Sequence, residues 1–137
     1  MNSLFEGIWN HFSATTGSGL YNDVSGRMYL NKAPQETVFP FCVYFPVSDI
    51  DDLDFSDERE NLLVQFDIYS LNNSATEAGN LLESTKTMFD NCSLTVTGWH
   101  HLKFQRNLVM PNNDFSEDPP IHGYSVEYDV LLEKERS

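Results

Sequence analysis

Between Leu62 and Ile68 the apolar side chains Leu62, Val64, Phe66 and Ile68 fall on every second position, with polar Gln65 and Asp67 between the last three. That period belongs to a strand with one buried face. Leu71, Asn72 and Asn73 then read as a turn, and Ser74 with Glu77 forms a Ser-x-x-Glu capping box, which predicts a helix starting at Ala75. Its apolar stripe of Ala75, Ala78, Leu81, Leu82, Met88 and Phe89 keeps three-and-four spacing, with Glu77, Asn80, Glu83, Lys86 and Thr87 on the opposite side. A helix about 22 Å long, at about 1.5 Å per residue, is expected to lie on one sheet face.

The same test extends along the chain. Leu4, Phe5, Ile8, Trp9 and Phe12 recur at helical spacing, with Ser3 as N-cap and Glu6 complementing the helix dipole. This stripe suits core packing, with an aromatic face turned to a partner as the alternative. Thr15 to Gly19 ends the helix and the chain to Gly26 reads as loop. A short strand is expected at Arg27 to Leu30, then a proline-marked link from Asn31 to Pro40 and a strand from Phe41 to Val47, limited by Pro46. After the long helix, Asp90 to Ser93 is a turn and Leu94 to Gly98 alternates like a strand. His101 to Met110 reads as another, continuous with it through a bend near Gly98. Pro111 to Pro120 is a polar loop, and Tyr124, Val126, Tyr128, Val130 and Leu132 alternate with Ser125, Glu127 and Asp129 as a last strand with one wet face, before a frayed tail from Glu133 to Ser137. The sum is an α+β fold: a mainly antiparallel sheet of about four to five strands, one long helix packed on a face and an N-terminal helix beside it. Residues 1–137 are expected to make one domain, since 137 residues suffice to bury about two-thirds of the unfolded chain's surface.

Charge changes this picture most. Twenty-one acidic against eight basic residues give a formal net charge of −13, and the basic residues are scattered, so no patch exists to neutralise phosphates. Asp49, Asp51, Asp52, Asp54, Asp57, Glu58 and Glu60 crowd into one stretch, read as a solvated or partner-facing loop from Asp49 to Glu60. Calcium is the sharp alternative, but an EF-hand register starting at Asp52 puts Asp57 where glycine is required and Leu63 where glutamate is required. No apolar run reaches bilayer length, and Met1 to His11 lacks the basic start and cleavage site of a secretory signal, so the expectation is synthesis in the cytoplasm without membrane attachment.

Candidate chemistry is sparse. Cys42 and Cys92 are far apart and read as buried thiols. His100 and His101 are neighbours on a strand and point to opposite faces, while His11 and His122 have no ligand-like spacing. No Gly-x-Ser-x-Gly elbow, phosphate-cradling loop or dinucleotide fingerprint occurs; Gly17-Ser18-Gly19 reads as a helix terminator. The residues therefore suggest no catalytic, metal or cofactor site, although a small metal-dependent hydrolase using His100 or His101 with loop carboxylates stays open as an alternative.

Several strings carry a resemblance: Arg27-Met28-Tyr29, Ala33-Pro34-Gln35, Phe39-Pro40-Phe41-Cys42-Val43-Tyr44 and Val64-Gln65-Phe66-Asp67-Ile68-Tyr69-Ser70, followed by the capped helix, a variable acidic loop and the closing strand. In this order they resemble the tail completion, or tail terminator, proteins of long-tailed bacteriophages and gene-transfer particles over nearly the whole chain. The acidic stretch Asp49 to Glu60 departs from the usual pattern. The resemblance implies a virion protein of the tail or neck, without catalysis or cofactors. It would cap the tail tube, end its polymerisation and join the tail to the head. Implied partners are further copies of itself in a ring, commonly a hexamer, the tail tube protein and a head-tail connector protein, with DNA passing through without specific binding. Within that setting Asp49, Asp51, Asp52, Asp54, Asp57 and Glu58 become a candidate channel-lining or partner-facing loop. Another neck component, an adaptor or head-completion protein, is the alternative.

Overall fold

The computed structural model describes residues 2–14, 19–51, 59–71, 75–116 and 118–135. In chain order the elements are α1 (Asn2–Ser13), α2 (Gly19–Asp23), β1 (Met28–Leu30), β2 (Phe41–Asp51), β3 (Arg59–Leu71), α3 (Thr76–Phe89), β4 (Trp99–Pro111) and β5 (Ile121–Lys134). The strands form one sheet in the order β1-β2-β3-β5-β4, antiparallel at every junction except the parallel pairing of β1 with β2. This is the expected α+β architecture.

β3 and β5 occupy the centre because each alternates cleanly. Leu62, Val64, Phe66, Ile68 and Ser70 of β3 and Val126, Tyr128, Val130 and Leu132 of β5 are buried on one face. Leu4, Ile8 and Phe12 of α1, Leu20 of α2, and Leu81, Leu82 and Phe89 of α3 join the same apolar cluster, so all three helices bury their stripes against that face. At its middle Phe66 lies 4.5 Å from the ring of Phe89, 5.7 Å from Tyr128 and 5.9 Å from Tyr44, centroid to centroid. Each such side chain, taken out of water completely, contributes about 1.5–3 kcal/mol.

The C-terminus of α3 is tied down bond by bond. Its last carbonyls lack intrahelical partners; here Lys86 O accepts the Asp90 N–H at 2.9 Å, Phe89 O accepts the Cys92 N–H at 3.2 Å, and Met88 O lies 2.9 Å from His11 Nε2 of α1. The Asp90 carboxylate in turn accepts from Tyr128 Oη at 2.7 Å and pairs with Arg106 at 3.2 Å, joining the helix end to β5 and β4.

The structure departs from the sequence expectations at defined places. The long helix begins at Thr76, with Ala75 as an N-cap that makes no side-chain bond; Ser74 lies outside the described residues, and Glu77 accepts from Ser70 Oγ instead. Thr85, not Met88, completes the fully buried stripe, because its hydroxyl donates back to Leu81 O at 2.8 Å. α1 already includes Ser3 and has no acidic residue in its first turn, so neither Ser3 nor Glu6 plays the assigned end role. The stretch read as loop after Gly19 contains α2, a helix too short to show periodicity.

Leu94 to Gly98 is not a strand. It passes close to α1, where a Cβ on Gly7 would stand 2.7 Å from Thr95 O, and Leu94 and Val96 are buried there outside any ladder. Val96 bridges only to Trp99 across a turn in which Gly98 has φ +85°. β5 continues through Glu133 and Lys134, and Glu135 N–H reaches Gly98 O, so the chain is paired further than the frayed tail suggested.

Candidate partner-facing surfaces

β2 passes through Pro46 and runs to Asp51, with a bulge between Pro46 and Ser48. Cys42 N–H donates to Arg27 O and Tyr44 O accepts from Asn31 N–H, so even-numbered residues of this stretch turn their backbone groups towards β1. Pro46 follows in that alternation beyond the end of β1, where its missing N–H removes no ladder bond. This permits a strand where the proline suggested a stop.

The acidic stretch is consequently shorter as a loop than expected. Asp49 pairs with Leu62 and Asp51 with Glu60 across the hairpin, and β3 has already begun at Arg59. Asp52, Asp54, Asp57 and Glu58 lie outside the described residues. The backbone therefore carries Asp49 and Asp51 to one end of the sheet, where β3 is also paired with β5, Arg59 standing opposite Glu133. Arg59 and Glu133 are 3.3 Å apart and a third exposed.

The opposite end of the sheet carries the second polar connection. It is a continued hairpin: Asp114 and Ile121 exchange both backbone bonds, at 2.8 and 2.9 Å, and Asn113 Oδ1 accepts the Gly123 N–H at 3.1 Å. Hydrogen bonds from the Ser116 hydroxyl and N–H hold the Asp114 carboxyl below its ordinary range, and Phe115 beside it is 68% exposed.

The sheet face turned away from the helices is half-buried and polar along its midline. Asp67 accepts from Gln65 Nε2 at 2.8 Å and from Tyr69 Oη at 3.4 Å, Asn112 Nδ2 donates to Tyr69 Oη and Ser125 Oγ, and Lys103 pairs with Asp129 at 2.9 Å. Burial pushes the Tyr69 phenol up, and the Asp67 charge adds to it. At the outer edge, β4 leaves Leu102, Leu108 and Met110 exposed and carries bulges after His101 and after Arg106.

A groove of about 480 Å³ lies where α1 crosses the β1 edge, lined by Phe5, Trp9, Leu30 and Tyr44 with Asn2, Glu6 and Asn10. The apolar stripe of α1 thus splits. Leu4, Ile8 and Phe12 are fully buried, while Trp9 is 38% exposed and Phe5 half-buried. Helical spacing alone gave no means of separating those two sets.

Two of the four histidines considered for chemistry, His11 and His101, are engaged by backbone groups. His101 Nδ1 accepts the Leu94 N–H at 3.0 Å and its Nε2 then donates to Lys103 O at 3.1 Å, which uses both nitrogens; burial lowers its pKa. His100 is exposed on the other side of the strand. Burial raises the Cys42 thiol strongly and pushes Cys92 up to about 12, so neither is a ready thiolate. Cys92 is half-buried, not fully buried as expected. One polar cluster was not anticipated: Ser70, completely buried, donates to Glu77 Oε1 at 2.5 Å, directly across the register from His122, whose Nε2 is shielded from solvent and has no hydrogen-bond partner. Among the described residues no three metal-ligating side chains converge.

No protein-family model matches the sequence. No curated protein is similar to it in sequence. The fold has a solved counterpart: it is similar to a chain in the virion of a native gene transfer agent particle, with a TM-score of 0.73 over 96% of this chain and 96% of that one, at 8% identity.

Proposed function

We propose that this chain is a structural protein of a phage-like virion. In this reading it acts as one domain that caps the tail tube, ends its polymerisation and joins the tail to the neck of the head. The single observation that carries the proposal is the end-to-end likeness in fold to a chain of a gene transfer agent virion, since neither chain has a substantial part left unmatched. The work of such a protein is contact, and the described surfaces offer the groove between α1 and β1 and the exposed apolar residues of β4 for it.

The assembly is a ring of identical copies, six being the expected number, closed by two different patches on each subunit. Six copies at −13 each would carry −78, a charge that opposes close approach unless much of it faces solvent or a central channel. In this reading part of the acidic stretch that holds Asp49, Asp51, Asp52, Asp54, Asp57 and Glu58 borders the channel, where like charge keeps passing DNA from adhering.

The test is negative-stain microscopy of the purified protein mixed with tail tubes. A ring at one tube end supports the proposal; binding to the portal side alone assigns the chain to an adaptor instead. Replacing Asp51, Asp52 and Asp54 by Asn is expected to leave the ring intact and to slow genome ejection. Unchanged ejection removes the hairpin from the mechanism.

A further inference from the structure

The groove between α1 and β1 combines three features. Two aromatic side chains that reach solvent, Trp9 and the half-buried Phe5, line one concave surface whose floor is the buried Tyr44; Phe5 and Tyr44 meet edge to face with centroids 6.1 Å apart. Among the described residues of the lining the one charged side chain is Glu6, which is exposed, and the amide side chains of Asn2 and Asn10 complete the rim. The chain that surrounds it has a formal charge of −13.

Aromatic faces attract cations through their negative quadrupole, and Trp does so best. A carboxylate at the mouth adds Coulomb attraction, and amide oxygens accept N–H donors. We propose that this groove binds a cationic side chain, arginine by preference, presented by a partner protein. Guanidinium is favoured over ammonium because it is planar, stacks on rings, is weakly hydrated and offers a fork of donors. Lys32, just past β1, is the nearest basic residue in sequence to the lining and is exposed, not among the groove residues. The groove opens at the sheet edge, since among the described residues no strand lies on the outer side of β1 and Leu30 is 40% exposed, so an extended segment has room to pass. The partner is thus defined by chemistry: a segment with arginine beside an apolar residue that meets Leu30. This goes beyond the capping role and is tested on the isolated protein, so its failure does not bear on that role.

The experiment is a titration of the intact ¹⁵N-labelled protein with N-acetylarginine amide, with N-acetylcitrulline amide as the neutral isostere. The indole N–H of Trp9 is the reporter and that of Trp99 the internal control. Saturable shifts at Trp9 and at the amides of Glu6, Asn10 and Leu30 are expected with the arginine probe, at least fivefold weaker with citrulline. Trp9→Leu should weaken binding about two- to fivefold, the worth of one exposed cation–π contact of about 0.5–1 kcal/mol, and Glu6→Gln by a similar factor. Because Glu6 is exposed, that variant keeps the test informative if Trp9→Leu does not fold. Equal binding of both probes, linear shifts spread over the whole acidic surface, or no shift at Trp9 up to about 100 mM each overturns the proposal, because one exposed cation–π contact with a nearby carboxylate yields a Kd of roughly tens of millimolar.

Discussion

Phe66 is the side chain whose truncation tests the core argument most sharply. It is fully buried on central strand β3 and its ring meets four others: Phe89 at 4.5 Å, Tyr128 at 5.7 Å, Tyr44 at 5.9 Å and Phe104 at 6.3 Å. Phe→Ala in a core costs about 3–5 kcal/mol, the spread reflecting how far the surroundings collapse. Collapse is restricted here. Phe66 pairs with Tyr44 on β2 and with Val126 on β5, so both flanking strands are fixed by ladder bonds, and Phe89 sits at an α3 end held by Asp90. Phe66→Ala should therefore cost at least about 4 kcal/mol, against a total stability of about 5–15 kcal/mol for a native domain. Phe66→Leu, which keeps most of the volume, should cost about 1–2 kcal/mol through lost ring contacts. Urea unfolding followed by far-UV circular dichroism measures both, with an unchanged m-value confirming that the midpoint reports stability. A cost under about 1 kcal/mol for Ala, or equal costs for Ala and Leu, would refute the placement of Phe66 at the centre of a rigid cluster.

Three further outcomes follow from the geometry. Gly123→Ala puts a Cβ 2.5 Å from Ile68 O and 2.7 Å from Asn112 O, both backbone atoms, so β5 must shift; a loss of about 2 kcal/mol or more is expected in the same unfolding assay. Tyr128→Phe removes a 2.7 Å bond to the Asp90 carboxylate, which keeps Arg106 and some solvent, so the cost should be about 1–2 kcal/mol and a double-mutant cycle with Asp90→Asn should show coupling. His101 has its pKa lowered from 6.5 by burial, with His11 adding to the effect, so the unfolded chain binds the proton more readily. Stability is then full above about pH 6.5 and falls as pH drops below it; His101→Gln should flatten that slope between pH 6.5 and 5, measured as urea midpoint against pH.

Much of the fold was legible because burial on one side leaves a period in the sequence. β3 and β5 kept the alternation read from Leu62–Ile68 and Tyr124–Leu132, and α3 kept its stripe from Ala78 to Phe89. What escaped had no such trace. The run of Asp49 and Asp51 suggested a loop because like charge resists burial, yet strand pairing is a backbone property, and Leu62 opposite Asp49 is enough to hold the register. Leu94 and Val96 alternate like a strand because one side is indeed covered, but by α1 at Gly7 and not by a neighbouring strand. The groove was hidden for a related reason. Phe5 and Trp9 share the apolar stripe of Leu4, Ile8 and Phe12, and only the position of β1 decides which of them meet water.

The bulges of β4 have a consequence for how the protein behaves when concentrated. An exposed thirteen-residue border with Leu102, Leu108 and Met110 uncovered is the kind of template on which chains stack into fibrils. Here the two interruptions leave runs of three residues at Trp99–His101, four at Lys103–Arg106 and four at Leu108–Pro111. Each is shorter than the six or seven residues, roughly, that a dry zipper between identical segments demands. The interrupted border thus works against edge-to-edge stacking, and the protein should stay dispersed at concentrations where an unbroken edge would draw it into filaments.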